Sequence, residues 1–388
     1  MIDGLDNKCG GAVNNKKTVV AHVTSVHSRC DSRIMNKMCR SLVNNGYVTK
    51  LVVADGKGDE KIDGIEISDV GSSRNRLDRV RRAPRRVLKQ AIALDAEVYH
   101  LHDPELIPIG LKLKRLGKRA IFDSHEDVPR QMLGKPYLNR PMRWGIAQAL
   151  RFYEALACRR FDGVIAATPF IRDKFLKINP NSIDINNFPL LDELGSETSW
   201  AQKQPVVCYV GGIGGIRGIV EITQAMGLVQ SSARLQLAGE FSERDLQQRV
   251  MALSGWQRVD ALSFVDRGGV RNVLARSMAG LVTLHPVINY IDALPVKMFE
   301  YMSAGIPVIA SDFPLWRDIV AGNDCGLLVD PLNSVQIAEA IDYLITHPED
   351  AERMGRNGRN AVFERYNWPN EEKKLLALYE RLLGSRRA

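Results

Sequence analysis

The chain has 388 residues, 45% of them apolar and 25% charged, a soluble globular composition long enough for roughly two or three domains. No apolar run approaches the roughly 18 residues of a membrane span, and the opening MIDGLDNKCGGAVNNKK lacks the apolar core of a secretory signal. Its six cysteines (Cys9, Cys30, Cys39, Cys158, Cys208 and Cys325) include no CxxC pair, which argues against a zinc or disulfide framework and fits a reducing cytoplasm. The formal charge of +8 implies an anionic partner: nucleotide phosphate, nucleic acid or anionic lipid.

After a loose tail over 1–17, TVVAHVTSV reads as a β-branched strand, RIMNKMCRSLVNNG as a helix and TKLVVADG as a second strand, the spacing of a parallel βαβ unit. The rhythm continues through EVYHLH, ELIPIGLKLKRLG, RAIFDSH, MRWGIAQALRFYEALACRRF and GVIAAT. Residues 18–185 are therefore expected to form one doubly wound α/β domain. NNFPLLDELGSETSWAQKQP, 186–205, is polar and non-periodic, the expected linker. A second α/β domain, 206–367, restarts with VVCYVGG, EITQAMGLV, RLQLAGE, RDLQQRVMAL, the short SFVD, VRNVLARS, GLVTLH and VQIAEAIDYLITH. The last segment, 368–388, is an amphipathic helix. Two Rossmann-like parallel-sheet domains would face each other across a cleft lined by the carboxyl ends of their strands.

The chemistry concentrates in DALPVKMFEYMSAGIPVIASD, 292–312. Pro295 suits a first helical position and Gly305 a helix stop before a buried strand. Lys297, Glu300 and Tyr301 then share one helix face. The amides around Ala293, Leu294 and Val296 form an anion-receptive helix start, and a diphosphate there would offset the unfavourable placing of Lys297 against the helix dipole. Glu300 can accept both hydroxyls of a ribose diol, and Asp292 those of a sugar beyond the phosphates. The alternative is a helix with ordinary surface pairing between its charges. In YVGGIGGIRGIVEI, glycines after a strand let backbone amides approach phosphate, with Gly211, Gly212, Gly214 and Arg217 the candidate contacts. The rival there is a dinucleotide loop, because Gly212, Gly214 and Gly218 give G-x-G-x-x-x-G, a near miss of the fingerprint.

In the first domain, TSVHSRCDSRI places His27, Asp31 and Arg33 after the first strand, where a doubly wound sheet would aim them at the cleft. HLHDPE and FDSHED end two further strands, supplying His102, Asp103, Glu105, His125, Glu126 and Asp127 where site residues of such sheets accumulate. Asp103 could equally cap the following helix, and His125 could be a core histidine. SRNRLDRVRRAPRRVLKQ, 73–90, carries seven arginines and one acid, Asp78. It reads as an anionic-membrane contact over 74–89, as a solvated helix face, or as a nucleic-acid patch, the last without any aromatic platform.

These motifs resemble the family-4 glycosyltransferases of the GT-B fold, from about residue 18 to the last helix, with KMFEYMSAGIPVIASD the most specific piece. The resemblance implies transfer of a sugar from a nucleoside diphosphate, a UDP-sugar first, to a saccharide or polyprenyl-diphosphate-linked acceptor hydroxyl. It further implies retention of configuration, as in bacterial surface-polysaccharide assembly. Glu300 would hold the ribose, and Asp292 stands at the first position of an E-x7-E motif that here reads D-x7-E. Arg217-Gly218 matches a basic phosphate position, Gly212 replaces a first arginine, and Val265 in SFVDR belongs to the loop bracketing the base. His125 matches the histidine near the reacting end of the sugar, Glu126 and Asp127 reach sugar or acceptor hydroxyls, and the final helix crosses back to the first domain. With no D-x-D motif, no cofactor and no obligatory metal are expected, and the enzyme would work at the cytoplasmic face of the membrane without binding nucleic acid. A nucleotide-sugar epimerase of the same fold and a nicotinamide dehydrogenase are the competing enzyme classes.

Overall fold

The computed structural model describes residues 17–75, 78–79, 82–135, 138–191, 193–194 and 199–384. Nearly all of the expected tail, together with Arg76 and Arg81 of the basic segment, lies outside them. The chain forms two compact units, one up to Phe122 and one from Asp123 on.

The first unit contains β1 (Val19–Val23), β2 (Val48–Val53), β3 (Glu60–Ile62), β4 (Ile65–Asp69), β5 (Val98–Leu101) and the start of β6 (Arg119–Ser124), in the order β3-β4-β2-β1-β5-β6. All neighbours pair in parallel except β3 and β4. β1 and β5 are almost wholly buried, as a parallel sheet covered by helices on both faces requires. The stretch expected as a helix after β1 begins as a π-helical turn, Ile34–Cys39, before becoming α-helical at Arg40–Asn44. The β3–β4 hairpin was not expected. Ile62 pairs with Ile65 across Asp63 and Gly64, both at positive φ (50° and 81°), the turn that an Asp-Gly pair favours.

The second unit contains the parallel pair β7 (Gly163–Ala166) and β8 (Ser182–Asp184), then a six-stranded parallel sheet. That sheet is built from β9 (Val206–Val210), β10 (Arg234–Ala238), β11 (Val259–Ser263), β12 (Ala279–Val282), β13 (Val308–Ser311) and β14 (Gly326–Val329), in the order β11-β10-β9-β12-β13-β14. Alternation along β9 divides the core: Cys208 and Val210 join Phe299 and Trp316 in one cluster, while Val207 and Tyr209 join Ile219 and Ile341 in another. The strand expected at SFVD lies upstream, at Val259–Ser263. The chain turns out of it at Ser263, a non-glycine residue with φ 55°. The final helix, Trp368–Gly384, sets Leu378 and Leu382 beside Gly163, and Lys374 pairs with Asp184 at 3.0 Å.

Tyr301 fixes the Val296–Ser303 helix to the end of β9, since its hydroxyl accepts the Val210 N–H at 2.9 Å. The fully buried ring fits only because residue 280 is glycine; a Cβ there would lie 2.2 Å from it. Gly280→Ala is therefore expected to destabilise the protein by about 1–3 kcal/mol through overpacking. Gly145→Ala, at an exposed helical position with open space around it, should raise stability by roughly 0.5–1 kcal/mol. Urea denaturation of both variants checks this, and equal midpoints would contradict the packing argument.

Candidate active site

Strand β9 ends in the glycine loop, and the next residues form one wall of a cavity of about 750 Å³. Gly211, Gly212 and Arg217 line it from this side, and Ala293, Lys297 and Glu300 from the Val296–Ser303 helix and the loop before it. Val265 lines it from the turn after β11. The size suits a drug-sized or nucleotide-sized ligand. Gly214 opens instead on an adjoining polar cavity of about 1010 Å³, where His285 and Glu221 pair at 3.0 Å. Leu294 packs its side chain against the core.

Lys297 is the electrostatic centre of the cavity. Its Nζ is buried, sits 3.5 Å from the centroid of the Tyr209 ring and has no hydrogen-bond partner. The residue as a whole is partly exposed, while its ammonium is shielded from water. Burial, and secondly the charge of Arg217, push its pKa down to about 7. The expected alternative, surface pairing with Glu300, does not hold: Glu300 pairs at 2.7 Å with Arg267, which also holds Glu193 at 2.8 Å. Arg217 is kept beside Lys297 by a bond from its Nη1 to the Gly212 carbonyl at 2.8 Å. A desolvated amine, a guanidinium and a glycine loop face one cavity, which is the chemistry of an anion site.

Details of this wall differ from expectation. Pro295 is the residue before the helix rather than its first member. The Ala293 amide is not free, since it donates to the Tyr290 carbonyl at 3.1 Å. Gly239 lets the loops after β9 and β10 touch; at φ 153° its Cβ would lie 2.0 Å from the Gly211 carbonyl. Sequence reading missed Tyr209 and Tyr290. It also missed Phe264, which stands 73% exposed while lining the same cavity. Arg267 was within the quoted SFVDR, but nothing in that string points to Glu300.

Asp292 is half-buried and paired with Arg130 at 2.7 Å. Arg130 belongs to the Val128–Leu133 helix, whose first turn Asp127 caps through the Arg130 N–H. Asp127 also binds Lys174 at 3.0 Å, so it is a structural cap rather than a carboxylate free for hydroxyls. His125 lies 3.4 Å from Asp123 and is partly exposed, while Glu126 is exposed.

Within the first unit, Asp103 does not cap the helix that follows it. It is buried, and its Oδ2 accepts the Thr24 hydroxyl at 2.9 Å and the Ser25 amide and hydroxyl, locking the loop after β1. His27 sits between Asp31 at 3.3 Å and Asp103 at 3.5 Å. Asp31 accepts the Arg33 and Ile34 amides; burial pushes its pKa up, but the His27 bond and these amides hold it well below the usual carboxylate range. Arg33 is buried. His102 is buried in a stack with His22 and His100, its Nε2 2.9 Å from Nδ1 of His22. Burial raises the Glu105 pKa, and Arg79 approaches its carboxylate at 3.6 Å. Arg79 is thus not an unpaired member of the basic segment, and neither is Arg86, which donates to the Val70, Gly71 and Ser72 carbonyls. Arg74, Arg82 and Arg85 are exposed.

Residues 192–361 match the family model for "Glycosyl transferases group 1" and residues 32–185 the model for "Glycosyltransferase Family 4". The phosphatidyl-myo-inositol mannosyltransferase of Mycobacterium leprae is 30% identical over 77% of this chain and 77% of its own. The chain belongs to the family-4 glycosyltransferases. Among solved structures, sucrose-phosphate synthase from Thermosynechococcus elongatus superposes with a TM-score of 0.78 at 16% identity, covering 95% of this chain and all of that one. Anabaena HepE in complex with UDP-glucose gives 0.71 at 14% identity, covering 94% and 99%. The fold of this glycosyltransferase is GT-B, and the epimerase and dehydrogenase readings give way to a transferase.

The buried ammonium yields a signed prediction. Because the folded pKa of Lys297 is about 7 and its ordinary value is 10.5, the unfolded chain holds the extra proton between those values. Stability from this group therefore rises as pH climbs from 7 to 10.5 and is lowest below 7. Lys297→Met should stabilise the ligand-free glycosyltransferase at pH 6 by about 1–3 kcal/mol. The gain should shrink toward pH 10. Thermal denaturation across this range measures it, and a destabilised variant at pH 6 would refute the desolvation argument.

Proposed function

We propose that this glycosyltransferase moves a sugar from a nucleoside-diphosphate donor, a UDP-sugar first, to a saccharide or polyprenyl-diphosphate-linked acceptor. The product would keep the donor's anomeric configuration. One observation carries the reading: the buried, unpartnered Lys297 ammonium stands beside Arg217 and the glycine loop, in the cavity that Glu300 also lines. A diphosphate there satisfies Lys297, raises its pKa and draws a proton from solvent. Charge grows on the leaving phosphate during transfer, so these cations would stabilise the transition state more than the ground state. Glu300 would take the ribose diol by changing partners from Arg267, and Phe264 and Val265 would flank the base.

Asp292 and His125 are the proposed sugar-side residues, with Arg130 fixing the Asp292 carboxylate. His27, Asp31, Arg33, His102, Asp103, Glu105 and Glu126 fall to the acceptor side, several of them acting through loop shape rather than contact. Support for a lipid-linked acceptor comes from the phosphatidyl-myo-inositol mannosyltransferase relative, and support for UDP from the HepE complex. The proposed setting is surface-polysaccharide assembly at the cytoplasmic face of the membrane. Among the described residues no helix is long and apolar enough to cross a bilayer. The absence of D-x-D from the sequence supports turnover without an obligatory divalent metal, which assay in EDTA tests.

Calorimetry with UDP, GDP and ADP tests the reading as a whole. UDP should bind best, with net proton uptake near pH 7.5, and no nucleotide binding at all would defeat it. Glu300→Ala should weaken UDP by about 1.5–3 kcal/mol through loss of a charge-assisted contact. Asp292→Asn should leave UDP affinity intact and lower turnover at least tenfold. Unchanged turnover would remove Asp292 from the chemistry.

A further inference from the structure

We infer that His285 is a positioning residue for the donor: by facing the Glu221 carboxylate it keeps the Arg217 guanidinium available to a diphosphate. The role rests on the diphosphate site proposed above and falls to a pair of side chains which that proposal does not use.

Arg217 stands on a segment with little regular structure of its own. Only the three-residue turn Gly215–Arg217 and Gly218 separate the glycine loop from the helix Ile219–Leu228. The guanidinium lies against the loop, where a Cβ at residue 212 would come within 2.7 Å of its Nη1. Residues just past β12 hold this segment on both sides of Arg217. Before it, the Ile216 carbonyl accepts the His285 amide at 3.0 Å. After it, Gly218 takes a left-handed φ of 80°, with the Thr283 carbonyl so close that a Cβ would meet it at 2.2 Å. Three residues further, the His285 imidazole reaches Glu221 at 3.0 Å. Residues 283–285 thus clip the chain at positions 216, 218 and 221.

The third contact differs from the other two because it occupies a charge. Glu221 and Arg217 line the same cavity of about 1010 Å³. Glu221 exposes only 17% of its side chain, and its Oε2 is shielded from solvent. A carboxylate so placed attracts a neighbouring guanidinium more strongly than a solvated one does. Glu240, Glu243 and Asp245 line this cavity as well, but they are exposed and screened. Glu221 is therefore the acid best able to draw Arg217 away from the donor cavity, and His285 is the group that faces it. The two facing atoms lack hydrogen-bond alignment, so the contact acts electrostatically. An acid in the first turn of a helix also favours the helix dipole, a purely structural role that the experiment has to separate.

Calorimetry on the full chain with inorganic pyrophosphate, UDP and uridine does so. His285→Ala should weaken pyrophosphate and UDP about fivefold, the effect of diverting one partly buried charge, and leave uridine unchanged. Adding Glu221→Gln to His285→Ala should return both ligands to within about twofold of the parent, because the competing carboxylate is gone. His285→Leu, which fills the space without a polar group, should match His285→Ala and replaces it if that variant does not fold. Equal weakening of uridine would make His285 a folding residue and overturn the inference. Unchanged pyrophosphate affinity in both single variants would also overturn it, since Glu221 would then have turned to Arg249 on the far wall of the cavity. A double variant as weak as the single one would assign the loss to the helix start and overturn it too. A parent that binds pyrophosphate but no nucleotide defeats the donor reading alone, and the pyrophosphate series still decides the role of His285. A parent that binds neither defeats both.

Discussion

Desolvation of one ammonium group constrains the wall of the cavity beside β9. Lys297 lies in the first turn of its helix, where the dipole already disfavours a cation, and its Nζ is removed from water without a hydrogen-bond acceptor. What remains to stabilise it is the face of Tyr209. That ring is positioned by β9, the β9 end is tied to Tyr301 of the same helix, and Tyr301 fits only over Gly280. Strand, helix and glycine thus form a closed set whose product is an unsatisfied positive charge. Such an arrangement is costly for folding and useful for binding, the usual sign that a site is organised for its ligand.

Electrostatics also separates the charged groups by role. Carboxylates near the proposed sugar end already have strong partners: Asp292 with Arg130, Asp127 with Lys174 and a helix start. Those near the loop after β1 are wired into backbone, as Asp103 and Asp31 show. Positive charge is left over at the proposed phosphate end, and negative charge is neutralised elsewhere. The same asymmetry runs through the Arg140–Cys158 helix, where the sole carboxylate is inside and Arg140 and Arg151 are exposed.

How far the sequence could be read depended on the range of the interaction. Parallel strands such as TVVAHV and VVCYVGG were legible because buried β-branched runs need only local pattern. The β3–β4 hairpin carried a local signal too, Ile-Asp-Gly-Ile, that the βαβ rhythm drowned out. Helices at Val128–Leu133 and Pro169–Leu176 were announced by a capping Asp127 or Thr168 with proline in the first turn, yet they are too short for periodicity to show. In the cavity, Gly211, Arg217, Lys297 and Glu300 were recoverable because they sit on motifs. Tyr209 was not, since a tyrosine inside a strand looks like core, and Arg267 was not, because its partner is 33 residues away and on another element. SFVD was misassigned for the converse reason: its apolar residues belong to a turn that lines the pocket.

The Arg267 bridge has a bearing on how the empty site behaves. With Glu300 and Glu193 both held by one guanidinium, the carboxylates at the proposed ribose end of the cavity are already paired before anything enters it. A donor of the proposed kind would break one ion pair to make its diol contact, so the proposed ribose end would work by exchange and contribute selectivity more than affinity. At the proposed phosphate end the Lys297 ammonium has no hydrogen bond to exchange. Tightness and discrimination are therefore assigned to opposite ends of the same ligand. A nucleoside without phosphates would meet the selective half of the site alone, and would have to displace a guanidinium with no ammonium to repay it.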